Sequence, residues 1–281
     1  MLQWYSRILN IKRAIILVIY FVFFITINSF AETSKKHTWE INTETSYIKN
    51  KTMGFSGIPV LKSHSMMYGG GLSYTYNGAL PLLSPKIDGY MLKIEGKGSL
   101  GKVDNNYVWD DTKEHILEFR GLAGYNFPIS EKTSAIPYVG IGYRFLKTNK
   151  TGVYHEDETA YLYSPVGLEI NIALEKKLSF GVKLEYDYFL KGEIHTNDNT
   201  ISYSEYRQKE GYGLRGSVKL QKKTNKTDLI IEPFLTYWNI KESEQVPSST
   251  VTTRTLSGSS ISMHYPKNNS TEIGIRFAVR F

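Results

Sequence analysis

The chain has 281 residues, with 34 Lys and Arg, 27 Asp and Glu, and no cysteine. Without cysteine, the sequence excludes a disulfide scaffold, a thiol nucleophile and a cysteine-ligated metal site. The formal charge is +7, but three of the bases lie in the first 31 residues, so residues 32–281 carry 31 bases, 27 acids and a net charge of +4. A modest charge spread along the chain does not indicate nucleic-acid binding.

The first 31 residues have the three parts of a secretory signal peptide. The stretch MLQWYSRILNIKR carries Arg7, Lys12 and Arg13 and no acid, and the apolar run AIILVIYFVFFITINSF follows it. Ala31, with Ser29 two residues before it, supplies the small residues of a cleavage site. An N-terminal membrane anchor is the alternative, since about 17 apolar residues are near the lower limit for a span. Both interpretations place the single domain of residues 32–281 outside the cytoplasm.

Beyond this leader, apolar and polar residues alternate in ten short segments. No later apolar run reaches the roughly 18 residues of another membrane-spanning helix. Alternation with a two-residue period, interrupted by polar connections, predicts antiparallel β-strands. The segments lie at 39–47, 68–76, 90–100, 117–127, 139–145, 162–172, 180–188, 212–220, 229–237 and 273–281. The sequence therefore predicts one all-β domain of about ten strands.

The connections between these segments alternate in length. Long polar stretches lie at 48–65, 101–114, 147–159, 190–208 and 241–266, and shorter ones lie at 128–136, 173–178 and 221–227. Long connections at one end and short turns at the other are typical of outer-membrane β-barrels. The connection at residues 77–89 is longer than the short turn that this pattern predicts at that position. We therefore expect a closed up-and-down antiparallel transmembrane β-barrel with periplasmic termini and five outer loops.

The two faces of the predicted strands differ in chemistry. One face is apolar and is predicted to contact lipid, while the other carries nine acids and nine bases. A ten-stranded barrel is narrow, so much of its interior is filled by side chains and buried charges need partners. The strand glycines Gly140, Gly142, Gly211 and Gly213 are expected to leave room for long Arg and Lys side chains. The predicted lumen ion-pair network comprises Lys93, Glu95, Lys97, Glu118, Arg120, Arg144, Glu169, Lys183, Glu185, Asp187, Arg215, Lys219, Glu272, Arg276 and Arg280, together with Glu40, Glu44 and Glu232.

A soluble lipocalin-like barrel or sandwich is the alternative fold, with its apolar face turned inward. Aromatic residues near the ends of the apolar segments favour the membrane barrel, because they suit the two interfacial girdles. These residues are Trp39, Tyr47, Tyr76, Tyr90, Phe127, Phe145, Tyr188 and Tyr212.

The last strand, TEIGIRFAVRF, alternates up to its final residue. An open strand edge in lipid would leave backbone groups unpaired, so this strand is expected to close the barrel against the first. Its apolar positions are Ile273, Ile275, Phe277, Val279 and Phe281. The ending resembles the terminal assembly signal of Gram-negative outer-membrane proteins, which implies that the barrel-assembly machinery recognises these residues.

Longer stretches carry a second resemblance. The segments RGLAGYNFPIS, IPYVGIGYRFL, GYGLRGSVKLQKK, IIEPFLTYWNIKESE and PKNNSTEIGIRF are similar to an uncharacterised group of proteobacterial outer-membrane β-barrel proteins. The likeness covers most of residues 32–281 and includes no known catalytic motif. It implies a Gram-negative outer-membrane location, contact with outer-membrane lipid, and no cofactor.

Two kinds of outer-membrane enzyme are alternatives. The omptin proteases use an Asp pair facing an Asp-His pair, and the nearest material here is Asp110 and Asp111 with His115, plus Asp187 and His195. Adjacent aspartates on a strand would point to opposite faces, and the family's motifs are absent.

A lipid-modifying barrel would need a Ser or His nucleophile system. Ser260, Ser262 and His264 are the candidates, but they belong to a Ser-rich stretch that is more simply a polar loop. A narrow pore is a third possibility.

Five histidines lie in or directly beside the five long connections, one for each connection. With nearby carboxylates they could form a rim metal site, although flexible loops rarely hold tetrahedral geometry. The histidines are His64, His115, His155, His195 and His264, and the carboxylates are Asp110, Asp111, Glu156, Asp157 and Glu158. We predict no metal site and no catalytic residue. The predicted protein is a monomeric, non-enzymatic surface barrel whose loops contact an extracellular partner that the sequence does not identify.

Deletion of Phe281, or its replacement by Asp, tests the assembly signal. We expect the variant to reach the outer membrane poorly while it still refolds in detergent, because the assembly machinery reads the strand end. Surface labelling measures assembly, and heat-modifiable migration in mild SDS measures folding. Normal surface levels of the variant would contradict the resemblance.

Overall fold

A computed structural model describes residues 36–53, 59–79, 88–105, 112–150, 155–174, 177–198, 204–224, 227–244 and 264–281. The predicted signal peptide, Asp110, Asp111, Ser260 and Ser262 lie outside these ranges. Within them the regular elements are β1 (His37–Met53), β2 (Pro59–Gly78), β3 (Tyr90–Asn105), β4 (Thr112–Tyr125), β5 (Phe127–Ser130), β6 (Thr133–Lys150), β7 (His155–Ala173), β8 (Leu178–Asp198), β9 (Ser204–Gln208), β10 (Gly211–Lys223), β11 (Asp228–Ile240) and β12 (Asn268–Arg280). No helix in the described ranges has the length and hydropathy needed to cross a membrane.

Ten of these strands form a closed ring in which neighbours run antiparallel. The order is β10-β11-β12-β1-β2-β3-β4-β6-β7-β8, and β8 returns to β10. The short β5 pairs with β6, and the short β9 pairs with β8. The predicted fold class, a closed up-and-down antiparallel barrel of about ten strands, is confirmed.

The faces of the strands are oriented as a membrane barrel requires. On β4, Thr112, Glu114, Ile116, Glu118 and Arg120 are buried, and the residues between them are exposed. Ile94 and Leu184 on the outer face are 62% and 63% exposed, whereas Glu118 and Asp187 are 2% and 0% exposed. A soluble barrel would show the opposite distribution, because it packs its apolar side chains inside.

The barrel closes between its first and last strands. The register of β1 with β12 runs without a break from Glu40 opposite Arg280 to Thr52 opposite Asn268. Beyond β12, Phe281 and Trp39 exchange two backbone hydrogen bonds of 2.9 Å. The terminal strand is therefore paired up to its last residue, which satisfies backbone groups that lipid cannot hydrate.

The strands extend well beyond the apolar segments. Most of the described residues predicted as long polar connections belong to strands, including 48–53 of β1 and 190–198 of β8. The prediction was wrong there because these strand ends carry polar side chains on their outer face, such as Lys49 and Glu193. Crossing the bilayer takes only about 9–11 residues of a tilted strand, so the remainder projects outward as a polar collar.

A β-bulge lies where β8 leaves the apolar band. Tyr163 of β7 is opposite Phe189 and Leu162 is opposite Lys191, so Leu190 has no cross-strand partner on β7. The extra residue reverses the alternation, because Phe189 faces the lumen and the next buried positions are Gly192 and Ile194. The outer end of β8 therefore has the opposite facing pattern from its membrane part.

A pair of arginine substitutions tests the position of the lipid band. Leu184 is central in the apolar face of β8, and Ile129 of β5 is equally exposed, at 65%, but lies beside the turn at 131–132. We expect Leu184→Arg to destabilise the barrel by about 2–4 kcal/mol and Ile129→Arg by about 0–1 kcal/mol, because the cost depends on depth in the bilayer. Denaturant unfolding in lipid vesicles measures both. Equal costs would contradict the placement of the band.

Candidate functional site

The lumen of the barrel contains the predicted charged residues at the level of the membrane. They project inward because they occupy alternate positions on strands whose other face contacts lipid. Each of the eighteen residues of the predicted network has an oppositely charged side-chain partner within 4 Å. Alternation on strands far apart in sequence thus brings the two signs of charge together in the lumen.

Arg215 of β10 occupies the centre of this network. Its guanidinium donates to Glu118 of β4 at 2.5 and 3.1 Å, and its Nε donates to Asp187 of β8 at 2.6 Å. The hydroxyl of Tyr163 donates to Glu118 at 2.5 Å and accepts a hydrogen bond from Arg215 at 3.0 Å. Four strands therefore meet through one arginine, and each carboxylate in the group receives a charge-assisted hydrogen bond.

A second arginine, Arg120 of β4, extends the network toward the termini end of the barrel. Its Nη1 donates to Glu185 at 2.5 Å, and its Nε donates to Glu95. Glu185 also accepts a hydrogen bond from the Tyr138 hydroxyl at 2.7 Å, and it lies 3.6 Å from the Nζ of Lys183. The carboxylate of Glu185 is therefore surrounded by cationic and hydroxyl donors.

Lysines complete the network at the same end. Lys93 pairs with Glu95 at 2.6 Å, and Lys219 pairs with Glu169 across two strand intervals. Lys97 lies 3.4 Å from Glu44 and 3.7 Å from Glu118.

Arginines of β12 form ion pairs with the two strands beside it, β1 and β11. Arg276 donates to Glu44 of β1 at 2.9 Å and to Glu232 of β11 at 3.1 Å, and Arg280 donates to Glu40 of β1 at 2.7 Å. The ring of Phe234 lies under Arg276 at 5.2 Å. The strand that closes the barrel is thus held to its neighbours by ion pairs in the lumen as well as by its backbone.

Several of these contacts cross the lumen instead of linking adjacent strands. Arg144 of β6 and Glu272 of β12 are five intervals apart in a ring of ten, which is diametrically opposite, yet their charged atoms are 3.9 Å apart. Arg215 and Glu118 are four intervals apart. Side chains from opposite walls therefore meet at the centre of the barrel.

The sequence prediction missed lumen residues that are not charged pairs. Glu114 is buried and accepts a hydrogen bond from Ser65 at 3.3 Å. It has the same parity on β4 as Glu118 and Arg120, so extending that alternation by four residues would have found it. A buried cluster of Tyr161, Tyr163, Phe189, Trp238 and Ile240 also fills the outer half of the lumen. The sequence prediction assigned residues to the two faces by collecting apolar residues on the lipid face. It therefore overlooked the apolar residues that lie on the lumen face.

The expectation that the strand glycines make room for Arg and Lys is wrong at Gly142 and Gly213. A Cβ at Gly142 would collide with the ring of Tyr163, and one at Gly213 would lie 2.9 Å from Asp187 and 3.1 Å from Trp238. Beside these two glycines the space is occupied by the rings of Tyr163 and Trp238 and by the Asp187 side chain. These rings in turn support the arginines, because Arg215 lies 5.3 Å from the centre of Tyr163 and 5.5 Å from that of Trp238.

The residues considered for omptin-like catalysis are not brought together where the structure describes them. Asp187 faces the lumen and binds Arg215, while the β8 bulge turns His195 to the outer face. His115 is exposed on the outer face of β4. Asp110 and Asp111 lie outside the described residues.

Among the described residues, the candidates for a rim metal site are likewise not brought together. His64, on the outer face of β2, lies 3.9 Å from Asp104. Over the described part of the chain, no group of three or more His, Asp or Glu side chains could hold a metal ion. The structure does not describe the side chain of His155, and Ser260 and Ser262 lie outside the described residues.

Comparisons with known proteins agree with this architecture. Residues 19–210 match the family model described as outer membrane protein beta-barrel domain. Curated proteins give no match. Among solved structures, the outer membrane protease OmpT from Escherichia coli is 9% identical with a TM-score of 0.66, and the match covers 90% of this chain and 99% of that one. At this identity the likeness shows the fold alone.

Two further solved structures are similar over comparable lengths. The translocator domain of the autotransporter NalP from Neisseria meningitidis is 8% identical over 88% of this chain and 89% of that one, with a TM-score of 0.44. The Pseudomonas putida toluene transporter TodX is 9% identical over 88% and 90%, with a TM-score of 0.34. Since the family model covers well over half of the 281 residues, the chain belongs to the outer membrane protein beta-barrel domain family and is located in the outer membrane.

Proposed function

We propose that this protein is a non-enzymatic, monomeric outer-membrane barrel with a charge-paired, largely filled lumen, whose outer loops contact external partners. The observation that carries the proposal is the cross-lumen pairing of Arg144 with Glu272 and of Arg215 with Glu118. A channel would need an uninterrupted aqueous path, and these side chains lie across it. Open aqueous channels belong to barrels of about 16–18 strands, whereas ten strands enclose a much narrower space.

The remaining space among the charges is small. The cavity lined by Lys93, Glu95, Lys183, Glu232 and their neighbours has a volume of about 110 Å³. At roughly 10–15 Å³ for each water, this holds fewer than about a dozen molecules. Such a volume supports local hydration of the ion pairs and gives no room for the hydrated solutes that porins conduct.

The outer collar of the barrel supports the display role. Ion pairs such as Lys147–Glu158 at 2.8 Å and Lys209–Glu244 at 2.5 Å mark strand ends that lie in water beyond the apolar band. The collar therefore extends the described strands beyond the apolar band, which supports a role at the cell surface. The partners of the barrel itself are outer-membrane lipid on its apolar face and the barrel-assembly machinery at its terminal strand.

An enzymatic role is the competing proposal, because OmpT is an outer membrane protease with a similar fold. The described residues provide no support for it, since Asp187 is bound to Arg215 and His195 lies on the other face. An assay of the purified protein with a peptide library tests the enzymatic alternative directly, and specific cleavage would contradict the non-enzymatic proposal.

A double-mutant cycle tests whether the lumen charges depend on one another. Lys219 and Glu169 are each other's ion-pair partner, so Lys219→Met leaves a half-buried carboxylate, 25% exposed, without its cation and is expected to cost about 1–3 kcal/mol. Lys219→Met with Glu169→Gln is expected to cost about 1–3 kcal/mol less than the sum of the single changes. Arg120→Met is expected to cost more than Lys219→Met, because Arg120 binds both Glu95 and Glu185.

The collar pair Lys147–Glu158 is the control for this cycle. Its side chains are 32% and 37% exposed, and its coupling is expected to stay below about 1 kcal/mol. Unfolding by urea in lipid vesicles gives all the free energies. Additive losses for Lys219 and Glu169, as in the collar, would indicate a wide, water-filled lumen.

Planar-bilayer recordings test whether the lumen conducts. We expect the purified wild-type protein to show no steady conductance, because Arg215 and Arg144 cross the barrel. Asp187→Ser with Arg215→Ser removes a crossing side chain together with one of its partners, and it is expected to give small, steady openings. Heat-modifiable migration verifies that the variant is folded. A large steady conductance of the wild-type protein in most insertions would overturn the proposal in favour of a pore.

A further inference from the structure

A second cavity lies in the outer half of the lumen, on the loop side of the charged network. Its volume is about 150 Å³. The cavity is level with the polar collar, since its lining residues Thr112 and Thr148 alternate with Lys113 and Lys147 of the outer face. It therefore lies beyond the apolar band, on the side of the barrel that faces the cell exterior.

The lining of this cavity is dominated by uncharged hydrogen-bonding groups. Hydroxyls come from Thr112, Thr148, Thr159 and Ser270, and side-chain amides come from Asn268 and Asn269. This differs from the charged cavity below it, where lysines, arginines and glutamates form most of the polar wall. A lining of neutral donors and acceptors matches a neutral ligand with many hydroxyl groups.

Aromatic rings form another part of the wall. Tyr161, Trp238 and Tyr265 line the cavity, and Tyr161 and Trp238 are in ring contact at 6.0 Å. Burial raises the pKa of Tyr265, so its phenol remains protonated at neutral pH and can donate a hydrogen bond. Aromatic surface next to hydroxyl and amide groups suits a molecule that has both C–H faces and polar edges.

The charged groups in the lining are largely engaged by the protein. Arg144 lies 3.9 Å from both Glu118 and Glu272, Glu114 accepts a hydrogen bond from Ser65, and Asp157 accepts one from Thr196 at 2.9 Å. Two carboxylates already balance the charge of Arg144, so an anionic ligand would add a further buried negative charge, whereas a neutral ligand would not.

Unsatisfied polar atoms are concentrated around the same cavity. Five buried side-chain atoms of its lining residues have no hydrogen-bond partner among the described residues: Thr112 Oγ1, Arg144 Nε and Nη1, Trp238 Nε1 and Asn269 Oδ1. Arg144 and Trp238 are only 3% and 2% exposed. Buried groups of this kind are costly unless they are paired, and a hydroxylated ligand in the cavity would offer them partners.

We propose that the outer cavity binds a small, neutral, polyhydroxylated molecule of monosaccharide size. The volume of about 150 Å³ is enough for about ten water molecules, and a sugar ring replaces such waters group for group. This inference goes beyond the proposed surface role, because it assigns a ligand class to the lumen itself. Ligand binding and conduction are measured separately, so either proposal can fail alone.

The test uses Trp238 as a reporter. Residues 32–281 contain Trp39, Trp109 and Trp238, so Trp39→Phe with Trp109→Phe leaves the cavity tryptophan alone. The refolded protein is titrated with glucose, galactose, mannose and N-acetylglucosamine, and with glycine as a zwitterion of small size. We expect a saturable change in fluorescence with at least one sugar and none with glycine.

Removal of the cavity hydroxyls provides the matched variants. Thr148→Val with Thr159→Val keeps the shape of the wall and is expected to weaken sugar binding about tenfold, as two lost hydrogen bonds imply. Thr236→Val, a change to a threonine on the wall of the charged cavity, is expected to leave sugar binding unchanged. Failure of all four sugars to bind would overturn the proposal, as would a response to glycine alone or equal weakening by Thr236→Val.

Discussion

The structure depends first on the requirement that no backbone N–H or C=O remain unpaired in lipid. A sheet meets this requirement only when it closes, and closure accounts for the unbroken ring of strands and for the pairing of Phe281 with Trp39. Once the sheet is closed, every strand has one face toward lipid and one toward the lumen. The apolar exterior and the charged interior are therefore consequences of the same constraint.

Closure at ten strands creates the second problem, which is how to fill a narrow interior. The lumen is organised in layers along the barrel axis. Ion pairs occupy the level of the membrane, and the aromatic cluster around Trp238 lies above them. Arg144 and Arg215 join the layers, because each guanidinium has carboxylates on one side and the Trp238 ring within 6.0 Å on the other. Charges that would be costly alone are thus held by partners on opposite walls and by aromatic faces.

Much of this architecture could be predicted from alternation alone. The two-residue period gave the strands, and the equal number of acids and bases on the hidden face indicated a paired lumen. The register is a local property of each strand, so a residue such as Glu118 could be assigned to the interior without any knowledge of its partner. Which charges meet is different, because Arg215 finds Glu118 only through the curvature and tilt of the closed barrel.

The aromatic layer and the bulge illustrate the remaining limits. Tyr163 and Trp238 occupy interior positions. The alternation of apolar residues on the lipid face gives no information about apolar residues on the opposite face. The single extra residue at Leu190 reverses which of the following β8 side chains face the lumen and which face outward. Nothing in the surrounding sequence marks that position. Strand length was also underestimated, since strand ends with polar residues on their outer face look like loops until the hydrogen-bonded partner is known.

The ion pairs between the first and last strands also favour one particular register of these strands. In the observed register, Arg280 is opposite Glu40 and Arg276 is opposite Glu44. A slip of two residues in either direction would place both arginines opposite uncharged residues, namely Asn42 and Ser46 or Thr38 and Asn42. A slip of four would retain at most one of the two ion pairs. A slip of one would turn both arginines into lipid. The four-residue spacing of charges on the two strands therefore favours the observed alignment of the first and last strands over its nearest alternatives.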